Sequence, residues 1–274
     1  MNTTYESRSL GNVNIVHDFG SPEPVIEGDF TTIDEYSQFK FGDGNVGSSY
    51  GTMLGRLVLT DGAAEQLLNQ DEVFVSSSAY RVAPPAAATL ARPFVESAQD
   101  TAQSANSDAT FTHFKISKAQ MATGNYAAMT FDERSRTVQN DLLLPKGLEL
   151  ADRHVIILDD IRVTGLREVA LRGLLSEAGA RHVSFYYVLN VPEGKEYPQT
   201  EAIININAVK SVDDVLELAM QRGFVPNVRM CKFLLSQNVA EIERFLSLVP
   251  AEVADTIVRY IREDNLREVV KAIP

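Results

Sequence analysis

Apolar positions along the chain are grouped in short runs separated by longer, mixed segments, and the spacing changes twice. Residues 1–55 are polar and predicted to be loop-rich, with small apolar patches such as Val13 to Val16. From Asp61, an acid placed to cap a helix over residues 61–69, the pattern becomes regular. The run Val73-Phe74-Val75 predicts a buried strand, and residues 76–81 a loop. Residues 86–98 predict a helix, residues 99–109 a polar connector and residues 111–116 a second strand. Residues 117–130 hold Gly124 and little periodicity, which predicts a mobile stretch. Thr130-Phe131-Asp132-Glu133 then has the form of a capping box opening a helix. Val155-Ile156-Ile157-Leu158 is the strongest strand signal. A helix is expected over residues 166–178, ended by Gly179, and a further strand over residues 183–189.

Strands alternating with helices imply a parallel sheet with right-handed crossovers, hence an α/β fold. Residues 210–274 differ. Leu234, Leu235, Ile242, Phe245, Leu246, Ile257 and Ile261 recur at helical spacing, and Ser211, Asn238 and Pro250 mark helix starts. The expected organisation is an N-terminal hood over residues 1–55, an α/β core over 56–209 and a helical appendage over 210–274.

Composition narrows the function classes. The chain has 274 residues, 45% hydrophobic and 23% charged, ordinary for a globular protein with a sizeable core. Its net charge of -12 makes duplex nucleic acid and anionic membranes poor partners. Neither a signal-peptide pattern nor an apolar run of membrane-spanning length is present, so a cytoplasmic setting is expected. Cys231 is the single cysteine, which excludes an internal disulfide and predicts a packing role. His17, His113, His154 and His182 have no metal spacing. The run Gly42-Asp43-Gly44-Asn45-Val46-Gly47 fits GxGxxG. The turn-formers Ser48-Ser49-Tyr50-Gly51 follow it, so a flexible loop is expected there, able to cover a ligand, with Lys40 as a loop cation.

The segment that carries chemistry is Val155-Ile156-Ile157-Leu158-Asp159-Asp160-Ile161-Arg162-Val163-Thr164-Gly165. A buried strand ends in adjacent carboxylates, and a tight loop with Thr-Gly opens onto a helix. In parallel sheets ligands bind beyond the carboxyl ends of strands, where the next helix offers free N–H groups and its positive end to a phosphate. Acids beside a phosphate cradle suit a ligand with phosphate at one end and vicinal hydroxyls in the middle, such as a ribose 5-phosphate.

Four apolar residues, two acids, three variable residues and Thr-Gly resemble the phosphoribosyl pyrophosphate (PRPP) motif of type I phosphoribosyltransferases. The order of elements over residues 73–189 agrees. The motif is also similar to a divergent bacterial branch, found near tellurite and stress-response genes, that carries Asp-Asp-Ile-Arg-x-Thr-Gly. The resemblance implies that Asp159 and Asp160 bind the ribose hydroxyls. The loop Ile161, Arg162, Val163, Thr164 and Gly165 would wrap the 5-phosphate, continuing into Leu166 and Arg167. The loop Ser76, Ser77, Ser78, Ala79, Tyr80 and Arg81 would meet the pyrophosphate. Lys118, Arg134 and Arg136 are cations of a region closing over the site. It further implies Mg²⁺ bound through PRPP rather than directly by protein, a small-molecule acceptor or nucleotide as second ligand, and a homodimer, common in the family.

The chain also departs from the family pattern. Leu166 and Arg167 stand where many members carry a small residue and then Thr or Ser, so Arg167 either replaces a phosphate ligand or marks an altered pocket. Val163 replaces the acid of the hypoxanthine–guanine branch, which argues against that purine chemistry. The Ser76–Arg81 loop lacks the usual glycine. Two functions stay open: transfer of the phosphoribosyl group with release of pyrophosphate, or its reverse, and a non-catalytic sensor of PRPP or a nucleotide. Phosphatase chemistry from the acid pair is weaker, because phosphoryl-aspartate enzymes usually space their motif acids by one residue.

Overall fold

The computed structural model describes residues 4–18, 21–27, 31–59, 67, 70–119, 141–192 and 200–271. A six-stranded sheet runs through it, built from β1 (Thr4–Asp18), β2 (Ser21–Glu27), β3 (Glu72–Ser77), β4 (Thr110–His113), β7 (His154–Arg162) and β8 (His182–Asn190). A separate small ribbon pairs β5 (Ser117–Lys118) with β6 (Leu142–Leu143). In the large sheet the order is β2-β1-β8-β7-β3-β4. All neighbours are parallel except β2, which lies antiparallel on β1. The expected α/β architecture, a parallel sheet flanked by helices with a helical C-terminal region, is what the chain adopts.

The sheet is covered on both faces, which is why β7 reads as an unbroken apolar run rather than an alternation. Ile156 and Leu158 face one cluster with Tyr50, Leu54, Leu90, Phe94, Tyr186 and Val188; Val155 and Ile157 face another with Leu171, Leu175, Phe185 and Tyr187. Val155, Ile156, Ile157 and Leu158 are each fully buried, worth about 1.5–3 kcal/mol apiece in apolar area. The first face is closed by α2 (Gly44–Arg56) and α3 (Ala91–Ser104), with a 3-10 turn at Ala86–Leu90 leading into α3; the second is closed by α4 (Leu166–Glu177).

Several expectations are corrected. Residues 1–55 are not loop-rich. β1 pairs with β8 along the sheet, and α1 (Ile33–Lys40) and α2 are both helices. Strand pairing stabilises β1 despite its weak apolar pattern. The glycine-rich run opens α2, with Asp43 capping the amides of Asn45 and Val46 at 2.9 and 3.1 Å. Its glycines serve helix contact. A Cβ at Gly51 would lie 2.5 Å from the Leu90 carbonyl oxygen, and one at Gly55 2.7 Å from that of Phe94. The polar connector expected from residue 99 begins only after α3 ends at Ser104, and the strand expected over residues 111–116 is shorter. Of the helix expected over residues 61–69 only Leu67 is described, and the capping box at residues 130–133 lies outside the described residues.

After α5 (Thr200–Asn205) come α6 (Val212–Ala219), α7 (Val228–Leu235), α8 (Val239–Leu248), α9 (Ala251–Glu263) and α10 (Leu266–Lys271). Ser211 and Asn238 cap α6 and α8 through their side chains, and Pro250 precedes α9. Met230, Cys231, Leu234, Phe245 and Ile257 form the core of this region, into which Phe41 inserts edge-on to Phe233 at 5.4 Å. Cys231 is buried there, and burial pushes its thiol up to about 12, in keeping with packing. Among the described residues no helix is long and apolar enough to cross a membrane.

Candidate sugar-phosphate site

β7 does not stop at the acids. It continues to Arg162, so Asp159 and Asp160 are strand residues, each 4% exposed. The loop expected over residues 161–165 is therefore shorter. Ile161 is buried strand, and its amide is held by Asp160 Oδ1 at 2.8 Å. Val163, Thr164 and Gly165 make the turn. Gly165 adopts φ 74, a left-handed conformation that a glycine enters without a Cβ clash, and it precedes α4 with no side chain capping the helix. The N-cap itself thus supplies no side-chain acceptor to the first amides of α4, which follow the carboxyl end of the central strand.

Each acid has its own cation. Asp159 accepts from Arg167 Nη1 at 2.5 Å and from the Ser78 hydroxyl. Burial pushes its carboxyl above the usual range, against the pull of Arg167. Asp159 in turn pushes the Arg167 guanidinium further up. Asp160 is bound through Oδ2 by the ammonium of Lys40, the last residue of α1. Lys40 also reaches Glu201 of α5 at 3.0 Å, and Arg229 of α7 meets the same carboxylate at 3.3 Å. The Lys40 charge holds the Glu201 carboxyl down at about 2. Sequence reasoning placed Lys40 in a loop and did not single out Glu201 or Arg229. A signal was present: Thr32 and Glu35 form a capping box, and Tyr36, Phe39 and Lys40 follow at the spacing of one helical face.

The other expected residues divide. Ser78 and Arg167 join Asp159, and exposed Lys118 lies within electrostatic reach of Asp159 and Arg167. Ser76 and Ser77, expected in a loop, are buried in β3. Ala79 packs on the second core cluster, and the ammonium of Lys115 covers the Tyr80 ring at 4.0 Å. Arg81 turns to the C-terminal helices, donating to the Glu263 carbonyl at 2.5 Å. There Asp264 accepts from the amides of Val82 and Ala83 at 3.2 and 2.8 Å. Arg162 is engaged internally, with Nε 2.8 Å from Glu168, whose carboxylate also accepts from the Tyr187 hydroxyl. Arg134 and Arg136 lie outside the described residues.

A hypoxanthine-guanine phosphoribosyltransferase from Bacillus anthracis aligns in structure over 60% of this chain and 74% of its own, at 14% identity and a TM-score of 0.33. A hypoxanthine phosphoribosyltransferase from Trypanosoma cruzi aligns over 61% and 73%, at 15% identity and a TM-score of 0.35. Likenesses this distant do not inform the site. No curated protein matches the chain in sequence. The family model described as PRTase ComF-like matches residues 28–263, which takes in α1, the motif strand and most of the C-terminal helices. By that match the chain belongs to the PRTase ComF-like family, within the type I phosphoribosyltransferases that its motif resembles.

Proposed function

We propose that the protein binds PRPP, or a nucleotide, at the end of β7 and transfers the 5-phosphoribosyl group to a small-molecule acceptor with release of pyrophosphate, or runs the reverse reaction. One observation carries this reading. Two buried carboxylates, adjacent in sequence, stand near the carboxyl end of a central parallel strand, and the turn that follows opens a helix whose N-cap is a glycine.

In this reading Asp159 and Asp160 accept hydrogen bonds from the ribose hydroxyls. The amides of the turn and of the first turn of α4 donate to the 5-phosphate, with the Thr164 hydroxyl beside them. Arg167 moves from Asp159 toward the ligand's phosphates, where its fork-shaped donor set suits an anion. The acceptor displaces pyrophosphate at ribose C1. The carboxylates then lie near a sugar that carries developing positive charge, which they stabilise.

Among the described residues no cluster of three or more His, Cys, Asp or Glu side chains could hold a metal. Asp159 and Asp160 are already engaged by Arg167, Ser78 and Lys40. In this reading Mg²⁺ would arrive on PRPP with Asp159 and Asp160 nearby, and it would supply charge neutralisation for the departing pyrophosphate.

A second reading, a sensor that binds PRPP or a nucleotide without turnover, draws on the same ion pairs. Both acids are neutralised by the protein's own cations, so ligand has to share or displace them. Calorimetric titration with PRPP and Mg²⁺, followed by assay of pyrophosphate release with nucleobase acceptors, separates the readings. Transfer predicts binding and release, both abolished by Asp160→Asn. A sensor predicts binding alone. Absence of binding by the wild-type chain contradicts both.

A further inference from the structure

Lys40 is the least expected member of the site. Its side chain is 5% exposed, although an ammonium is costly to bury without partners. It has partners on two sides, Asp160 of β7 and Glu201 of α5 at 3.0 Å. Its nitrogen also lies over the Tyr36 ring, 5.7 Å from the centroid. Its backbone carbonyl accepts from Asn227 Nδ2 at 3.1 Å, and Asn227 is the residue that caps α7. Glu201 continues the chain to Arg229, in the first turn of α7. Three helices outside the strand–turn–helix motif are therefore linked, through Lys40, to one oxygen of Asp160. The other oxygen holds the Ile161 amide, in the last residues of the strand and two positions ahead of the turn. The Tyr36 hydroxyl, fully buried alongside, has no hydrogen-bond partner among the described residues.

We propose that Lys40 is a positioning residue. Anchored by Glu201 and Arg229, it fixes the Asp160 carboxylate, and through it the start of the phosphate turn, so that the site is assembled jointly by the motif and the C-terminal helices. This rests on reading Asp160 as a ligand-binding acid. The physical argument is geometric. A carboxylate clamped at Oδ2 has a set direction at Oδ1, and Oδ1 orders the Ile161 amide in the strand end that leads into the turn. Losing the clamp frees the carboxylate to rotate and releases that amide.

The test uses the full-length chain and two readouts. Without ligand, amide hydrogen exchange at residues 161–165 is compared in wild type, Lys40→Met, Glu201→Gln, Asp160→Asn and the Lys40→Met/Asp160→Asn pair. The expected result is exchange about tenfold faster in Lys40→Met, confined to the turn and the first turn of α4, with a smaller rise in Glu201→Gln. The Lys40→Met effect vanishes on the Asp160→Asn background, because Lys40 acts through that acid. Uniform acceleration across the chain, no change at the turn, or additive effects in the double variant overturn the proposal. Should Lys40→Met fail to fold, Glu201→Gln decides, and its silence at the turn counts against the clamp. In the second readout, PRPP with Mg²⁺ binds about tenfold more weakly to Lys40→Met. If the wild-type chain does not bind PRPP, the sugar-phosphate reading falls, while the exchange data still judge the clamp.

Discussion

Arg162 and Glu168 show how a residue's position in sequence can mislead about its task. Arg162 stands within the motif, where it could face a surface or a substrate, yet its guanidinium closes onto the buried Glu168 carboxylate together with the Tyr187 hydroxyl. This pairing holds the two ends of the turn together. Gly165 completes the turn. A methyl there would meet only ordinary contacts, the nearest being Arg162 Nη2 at 3.5 Å, so the cost of Gly165→Ala is conformational. Left-handed backbone costs a non-glycine residue about 1–2 kcal/mol, and that loss is expected in urea unfolding. His154 supplies a second residue-scale prediction. Burial, with His182 and Arg8 adding to it, pushes its imidazole down to about 3. An unfolded histidine titrates near 6.5, so between those values the unfolded chain binds the extra proton. The stability from a neutral His154 is complete above about pH 6.5 and is lost at up to about 1.4 kcal/mol per unit as pH falls toward 3. Unfolding midpoints of wild type should drop over that window more steeply than those of His154→Gln; equal slopes contradict the assignment.

At the scale of elements, α2 and α3 meet through glycine rather than through interlocking side chains. Gly51→Ala sets two effects against each other. Alanine favours helix over glycine by about 0.8–1 kcal/mol. Its methyl, however, would sit 2.5 Å from the Leu90 carbonyl oxygen, and overpacking costs about 1–3 kcal/mol. The clash is with backbone, so it wins, and thermal unfolding should show net destabilisation; a rise in Tm would refute the close contact. The elements legible in the sequence were those whose signals are local. β7 and β8 have long apolar runs, α4 has Gly179 at its end with φ 87, and α6 and α8 have side-chain caps. What escaped was decided by partners distant in sequence. β1 is a strand because β8 lies beside it, and α2 carries glycines because α3 packs against it. The acid pair and its turn could be read because one segment contains them. Lys40, Glu201 and Arg229 could not, since 120 residues separate Lys40 from Asp160 and only the fold joins them.

For the molecule as a whole, two of the ties between the C-terminal helices and the α/β unit run through buried acids. One is the chain from Asp160 through Lys40 and Glu201 to Arg229. The other is Asp264, 1% exposed, which accepts from the amides of Val82 and Ala83 in the segment after β3. Hydrogen bonds to a charged group are worth about 1.5–3 kcal/mol each. Asp264→Ala should therefore expose residues 79–85 and the end of α9 to limited proteolysis well before the sheet unfolds; cleavage that tracks global unfolding would deny the tether. The net charge of -12 makes the concentration of Lys40, Lys118, Arg167 and Arg229 around the acid pair the more informative. It is a local arrangement suited to an anionic ligand on an otherwise acidic molecule. The central claim is that the ligand is a sugar phosphate held by the end of β7 and the start of α4. A crystal structure with PRPP and Mg²⁺ tests it most directly. The account predicts density with the ribose hydroxyls on Asp159 and Asp160 and the 5-phosphate on the amides of residues 164–166. Density that leaves both acids paired as before, with the ligand elsewhere or absent at saturating concentration, would contradict it.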